Sequence, residues 1–151
     1  MKMNIRIVVL FIALISGFSF CLASVAQTAS AVADFVLDSK LYGDPKMDIV
    51  LTEIERRPRS SVLDIKVNKI GSSVGSSFFL LCSIRKLAQQ RGDYHYIVKL
   101  EGKPQHGQMI VGFLHSSSDH LSILGAEFAH LDAKKDVMGL DQFAEICTSM
   151  K

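Results

Sequence analysis

From residue 61 to residue 70 apolar and polar side chains alternate, with Leu63, Ile65 and Val67 on one side and Asp64, Lys66 and Asn68 on the other. A period of two with a polar face predicts a half-exposed antiparallel strand. Residues 47–55 (MDIVLTEIE) are also β-rich. Residues 56–60 join the two runs as a hairpin, with Pro58 in the loop, where its missing N–H costs nothing. The pattern then changes. Residues 70–77 are small and polar, rich in serines that suit a helix N-cap. Phe78, Phe79, Leu81, Cys82, Ile84, Leu87 and Ala88 follow as a broad apolar helical face, with Arg85, Lys86, Gln89 and Gln90 toward solvent. Gly92 suits a left-handed C-terminal cap.

Residues 94–101 (YHYIVKLE) and 108–115 (QMIVGFLH) predict a second hairpin across residues 102–107. Tyr94, Tyr96, Val98 and Leu100 fall on one strand face, where Tyr94 and Tyr96, with Phe113, serve cross-strand packing. Beyond residue 118 the pattern weakens. Residues 121–124 read as a short strand, and residues 126–131 fit either helix or extended chain. Residues 140–150 predict a terminal helix with Asp141 near its N-cap and Phe143, Ile146 and Cys147 inward. The order ββαββ followed by a helix predicts an α+β fold. Its antiparallel sheet has four to five strands, with one long helix and a C-terminal helix packed on one face.

The N-terminus changes the picture of where this domain works. Lys2 and Arg6 precede an uncharged apolar run from Ile7 to Ala26, and Ser24-Val25-Ala26 places small residues where a signal peptidase needs them. Residues 1–26 thus read as a secretory signal cut between Ala26 and Gln27, with Ala23 as the alternative cut. An uncleaved anchor is the competing reading, since the run reaches the ~20 residues needed to span a bilayer. Ser16, Gly17, Ser19 and Ser24 dilute its second half and favour cleavage. Phe20 before Cys21 argues against a lipid-attachment site. Residues 27–46 read as a flexible leader in which residues 35–37 can start a strand, and residues 47–151 as one α+β domain.

Removing the signal alters the charge. Of 17 basic side chains 15 remain, against 15 acidic ones, so the formal net charge falls from +2 to zero with histidine neutral. No basic surplus is left for nucleic acid or an anionic membrane, and Arg56-Arg57-Pro58-Arg59 reads as a solvated turn amid Glu53, Glu55 and Asp64. Cys21 leaves with the signal. Cys82 and Cys147 remain as an even pair bound for an oxidising space, where a bridge would close a loop of about 65 residues. Two separate buried thiols are the other arrangement the sequence allows.

Two motifs hint at chemistry. Gly71-Ser72-Ser73-Val74-Gly75 is a G-x-S-x-G between a predicted strand and helix, the setting of a nucleophile elbow with Ser73 as nucleophile. Against it stand the small size and hairpin connectivity, foreign to α/β-hydrolases, and a serine-rich composition that matches the pattern easily. His115, His120 and His130, with Asp119 and Glu127, form the second candidate as metal ligands, without any recognised ligand spacing.

The unit from Phe78 to Leu100 is an apolar helix ending Leu87-Ala88-Gln89-Gln90-Arg91-Gly92, then Tyr94-His95-Tyr96-Ile97-Val98. It resembles small exported bacterial envelope proteins of uncharacterised function, which place a helix, an Arg-Gly-Tyr-like corner and a strand in the same order. The resemblance implies an envelope setting and lends no catalytic residues. The expectation is an exported, periplasmic or secreted protein without a cofactor, acting as a binding, accessory or host-interaction module. Its partner is a protein or small ligand, with no nucleic acid and no membrane insertion after cleavage. A serine hydrolase using Ser73 or a metal-dependent protein using the histidines is the alternative.

Overall fold

The computed structural model describes residues 35–42 and 45–149. The export signal and its cleavage point at Ala26 and Gln27 lie outside the described residues. Six strands form one sheet: β1 (Val36–Asp38), β2 (Asp48–Arg56), β3 (Ser60–Lys69), β4 (Tyr96–Glu101), β5 (Gln108–Leu114) and β6 (Met138–Gly139). Their spatial order is β1-β2-β3-β5-β4-β6, and every neighbouring pair is antiparallel. The α+β reading holds, with six strands instead of four to five. The additions are the two edge strands: β1, three residues long, where residues 35–37 were expected to be able to start a strand, and β6, two residues long and too short for any periodicity to announce it.

The sheet begins inside the segment expected to be a leader. Phe35 and Leu37 are buried against Leu51 and Ile49 of β2, and Tyr42 packs edge-on to Phe79 at 5.6 Å. These side chains cover the end of the core that β2 would otherwise leave open to water, so residues 35–42 belong to the folded body and not to a flexible leader.

Helix α1 (Ser73–Gly92) joins β3 to β4 and lies on one sheet face. It starts five residues earlier than its apolar face suggests, because Ser72 caps it by accepting from the Gly75 N–H at 3.0 Å. The left-handed residue at its other end is Asp93 (φ 54°, ψ 48°) rather than Gly92, and its N–H reaches the carbonyls of Ala88 and Gln89. Phe79, Ile84, Leu87 and Ala88 enter the main core with Leu51, Leu63, Ile97, Val111 and Phe113. Each such large side chain stabilises the fold by about 1.5–3 kcal/mol relative to exposure.

The opposite face is also covered, which the alternation in β3 did not suggest. Val62, Val98, Ile110 and Leu114 meet Leu121, Leu124 and Phe128 in a second core. Residues 121–124, expected as a strand, are a 3-10 turn, followed by another at Ala126–Phe128. Helical turns present Leu121, Leu124 and Phe128 on one side, whereas a strand would have split them between two faces. Conversely, Val67, expected inward, is 48% exposed at the far end of β3. Gly112 sits beneath this layer: a Cβ there would meet Leu124 Cδ1 at 2.6 Å. Gly112→Ala is therefore expected to cost about 1–3 kcal/mol in urea unfolding by forcing the second core apart.

The C-terminal helix is a 3-10 turn (Asp141–Phe143) running into α3 (Ala144–Ser149), which packs on α1. Between β5 and β6 the chain makes one further short helix, α2 (Ala133–Asp136). Ile146, expected inward, is exposed, and Phe143 is half-buried. What holds α3 is Cys147, bonded to Cys82 of α1 with Cα atoms 5.3 Å apart. Among the described residues no helix is long and apolar enough to cross a membrane.

Candidate functional site

Ser73 occupies the first turn of α1, exposed, with its carbonyl accepting from the Ser76 and Ser77 hydroxyls at 3.0 and 2.9 Å. Among non-glycine described residues only Asp93 has positive φ, so Ser73 is not held in the strained turn of a nucleophile elbow. The histidine–acid contacts are made by His95, whose Nδ1 lies 3.0 Å from Asp141 Oδ2 and whose Nε2 lies 3.9 Å from Asp93. His95 lies just past the far end of this 20-residue helix, about 30 Å from Ser73 at 1.5 Å per residue. The G-x-S-x-G pattern here is a capped helix start.

The three candidate metal ligands part company. His115 stacks on Tyr94 with ring centres 4.3 Å apart, His120 precedes a 3-10 turn, and His130 lines a cleft beside Leu100. Among the described residues no three His, Cys, Asp or Glu side chains gather where they could share an ion. Asp119 instead accepts from the backbone N–H groups of His115 and Ser116. Tyr94 leaves the strand face shared by Tyr96, Val98 and Leu100 and joins the main core on the helix side, beside Phe113.

The arginine-rich hairpin tip is not a solvated turn. Glu53, with a fully buried side chain, takes Arg91 Nη1 at 3.0 Å, Arg56 Nε at 3.1 Å and the Ser61 hydroxyl at 2.6 Å. Arg91 also donates to the carbonyls of Ser60 and Arg57 and to Ser61 Oγ, and lies over the Phe113 ring at 5.0 Å. It thus stitches the tip to the end of α1. Burial pushes the Glu53 carboxyl up, but the hydrogen bonds from Arg56 and Ser61 and the charges of Arg56 and Arg91 outweigh it and hold it below the usual carboxylate value. A bulge between Glu53 and Glu55 sets Glu55 opposite Val62, hence on the other face. There Glu55 and Glu127 bracket Arg57 at 2.8 and 2.5 Å, and the hydrogen bond that Arg57 donates to Glu55 raises the Arg57 value further. Arg59 Nη1 and the Ser60 hydroxyl at the same tip are buried without a hydrogen-bond partner among the described residues, but the ions of the network neutralise one another, so it is a structural anchor.

What the fold leaves open is the outer edge of β4. Leu140 N donates to His95 O, away from β5, whereas Gly102 N donates to Gln108 O of the β5 side. By alternation the backbone groups of residues 95, 97, 99 and 101 point outward. β6 pairs only with Tyr96 and Ile97. The N–H and C=O groups of Lys99 and Glu101 are therefore unpaired among the described residues, while β5 holds the strand from behind through Glu101. A cleft flanks this edge on each face. The one on the helix side, about 130 Å³, is lined by Leu80, Leu81, Ile84, Ile97 and Met109. The one on the other side, about 470 Å³, is lined by Leu100, Lys103, Glu127 and His130. Lys99 and Glu101 reach both clefts, and their side chains pair at 2.5 Å. The charges of Lys99-Leu100-Glu101 are of the kind edge strands carry, but β3, flanked by β2 and β5, also ends in charged residues, so the pattern alone does not single out this edge.

Comparison with protein-family models, curated proteins and solved structures finds no match.

Proposed function

We propose that this is an exported binding module that takes an extended segment of a partner along the outer edge of β4. The observation that carries the reading is the pair of outward-facing backbone positions at Lys99 and Glu101, set between two clefts. An added strand gains main-chain hydrogen bonds there, and its alternate side chains enter the clefts, one cleft per face. Export is supported by the signal pattern of residues 1–26, by the disulfide, which suits an oxidising compartment, and by the resemblance of residues 78–100 to envelope proteins.

The test is a selection of random displayed peptides on the oxidised protein, followed by affinity measurement on Lys99→Pro. Proline at 99 deletes an outward N–H without breaking the β4–β5 ladder. Selected peptides are expected to lose at least about tenfold in affinity, roughly 1.4 kcal/mol. Val36→Pro, the matching change on the outward side of β1, should leave them unaffected. A failure to select any peptide, or equal binding to Lys99→Pro, overturns the reading.

A further inference from the structure

We infer that the occupant of the β4 edge is the same edge of a second copy of this chain, a conclusion that rests on the binding-edge reading above. Two copies related by a two-fold axis through Leu100 would place Leu100 opposite its own counterpart, Lys99 opposite Glu101 of the second copy, and Glu101 opposite its Lys99. That register satisfies three independent requirements. Residues 99 and 101 are the positions whose backbone groups point outward, so each of these two pairs is the kind that exchanges both its N–H···O bonds.

The charges also match. Tyr96, Val98 and Leu100 belong to the second core and Ile97 to the main one, so Lys99 and Glu101 alternate onto the helix side. Within one chain they already pair at 2.5 Å, with side chains 40% and 65% exposed. In the pair each carboxylate would stand between two ammonium groups, since directly opposed cross-strand residues attract when their charges differ and repel when they agree. Finally, Leu100 would meet its counterpart across the axis, where the strands approach most closely, and the two clefts lined by Leu100 would close on each other. The same patch serves both copies, as a closed isologous pair requires, and the pairing joins two sheets into one with the β1 strands as its outer edges. The ladder is short, so the association is weak and concentration-dependent, in the class of small transient interfaces.

The test uses the full oxidised mature chain in sedimentation velocity at about 100 µM, a concentration that populates weak dimers. The wild type is expected to form a dimer. Lys99→Glu alone sets carboxylate against carboxylate at both symmetry-related pairs, and Glu101→Lys alone sets ammonium against ammonium at both, so each single variant should sediment as a monomer. Mixing the two single variants gives opposite charges at both pairs and should restore dimer as a mixed species, and the double exchange Lys99→Glu/Glu101→Lys should dimerise by itself. A wild type that stays monomeric, or single variants that dimerise as well as the wild type, overturns the second copy as occupant. The peptide selection separates the two failures: a monomeric wild type whose selected peptides are lost on Lys99→Pro sinks only the second copy. Peptides indifferent to Lys99→Pro sink the binding edge itself.

Discussion

Glu53→Ala is expected to lower the unfolding free energy by about 3–5 kcal/mol, the cost of leaving a buried partner charge uncompensated. Arg91, with a side chain only 5% exposed, would keep its carbonyl partners but lose its counter-charge, and the hairpin tip and the end of α1 would lose the group that both address. For a domain whose total is ~5–15 kcal/mol, that loss approaches a third or more. Urea unfolding of the oxidised protein measures it. A double-mutant cycle with Arg91→Met should show coupling, because with both charges gone the site no longer strands either one. The pH dependence has a definite sign. The folded value of Glu53 lies below its unfolded value, which is near 4.5, so its contribution is complete above that value. It is lost as pH falls through the lower folded value. Glu53→Gln should therefore flatten the acid limb of the stability profile and leave the limb above neutrality unchanged. An unaltered acid limb would show that another carboxylate governs acid unfolding.

Removing the disulfide, as Cys82→Ser/Cys147→Ser, is expected to cost about 4 kcal/mol, since the bond spans 65 residues and its chain-entropy contribution grows with the loop it closes. The loss should come with a local signature. Helix α3 has six residues, none of them buried, far below the ~12–15 residues at which an isolated helix is even marginal in water. Freed from α1, residues 144–149 should exchange their amide hydrogens at nearly unstructured rates. The amides of β3 and β5 should slow-exchange as before, up to the reduced global stability. A double-serine variant with the same urea midpoint as the parent would mean that Leu140 and the packing of α3 on α1 hold the C-terminus unaided.

The elements that could be read from the chain are those whose period is long enough to repeat. Strand β3, the helical face from Phe78 to Ala88 and the two hairpins appear where the pattern puts them, because an element of six residues or more repeats the period of its own geometry, although burial on both sheet faces and the exposure of Val67 break the alternation expected in β3. The even pair Cys82 and Cys147 in a domain read as exported made a bridge one of two arrangements, and the fold chose it by bringing their Cα atoms to 5.3 Å. The order of the strands was not legible. Placing β5 between β3 and β4 is a choice made by the α1 crossover.

The features that carry the proposed binding edge were decided by that tertiary arrangement. Ser73 looked chemical by its neighbours in sequence, yet those neighbours are a helix cap, and catalysis needs neighbours in space. Arg91 and Glu53 stand 38 residues apart and meet only because the hairpin folds over the end of α1. The bulge at Ile54 sends Glu53 and Glu55 to opposite faces, against the simple alternation. The open edge at Lys99 and Glu101 exists because β6 is two residues long and stops at Ile97. A strand's sequence carries its two faces, since side chains alternate between them. Its edges belong to the backbone, identical for every residue, so which edge stays unpaired is settled only when the other strands have taken their places.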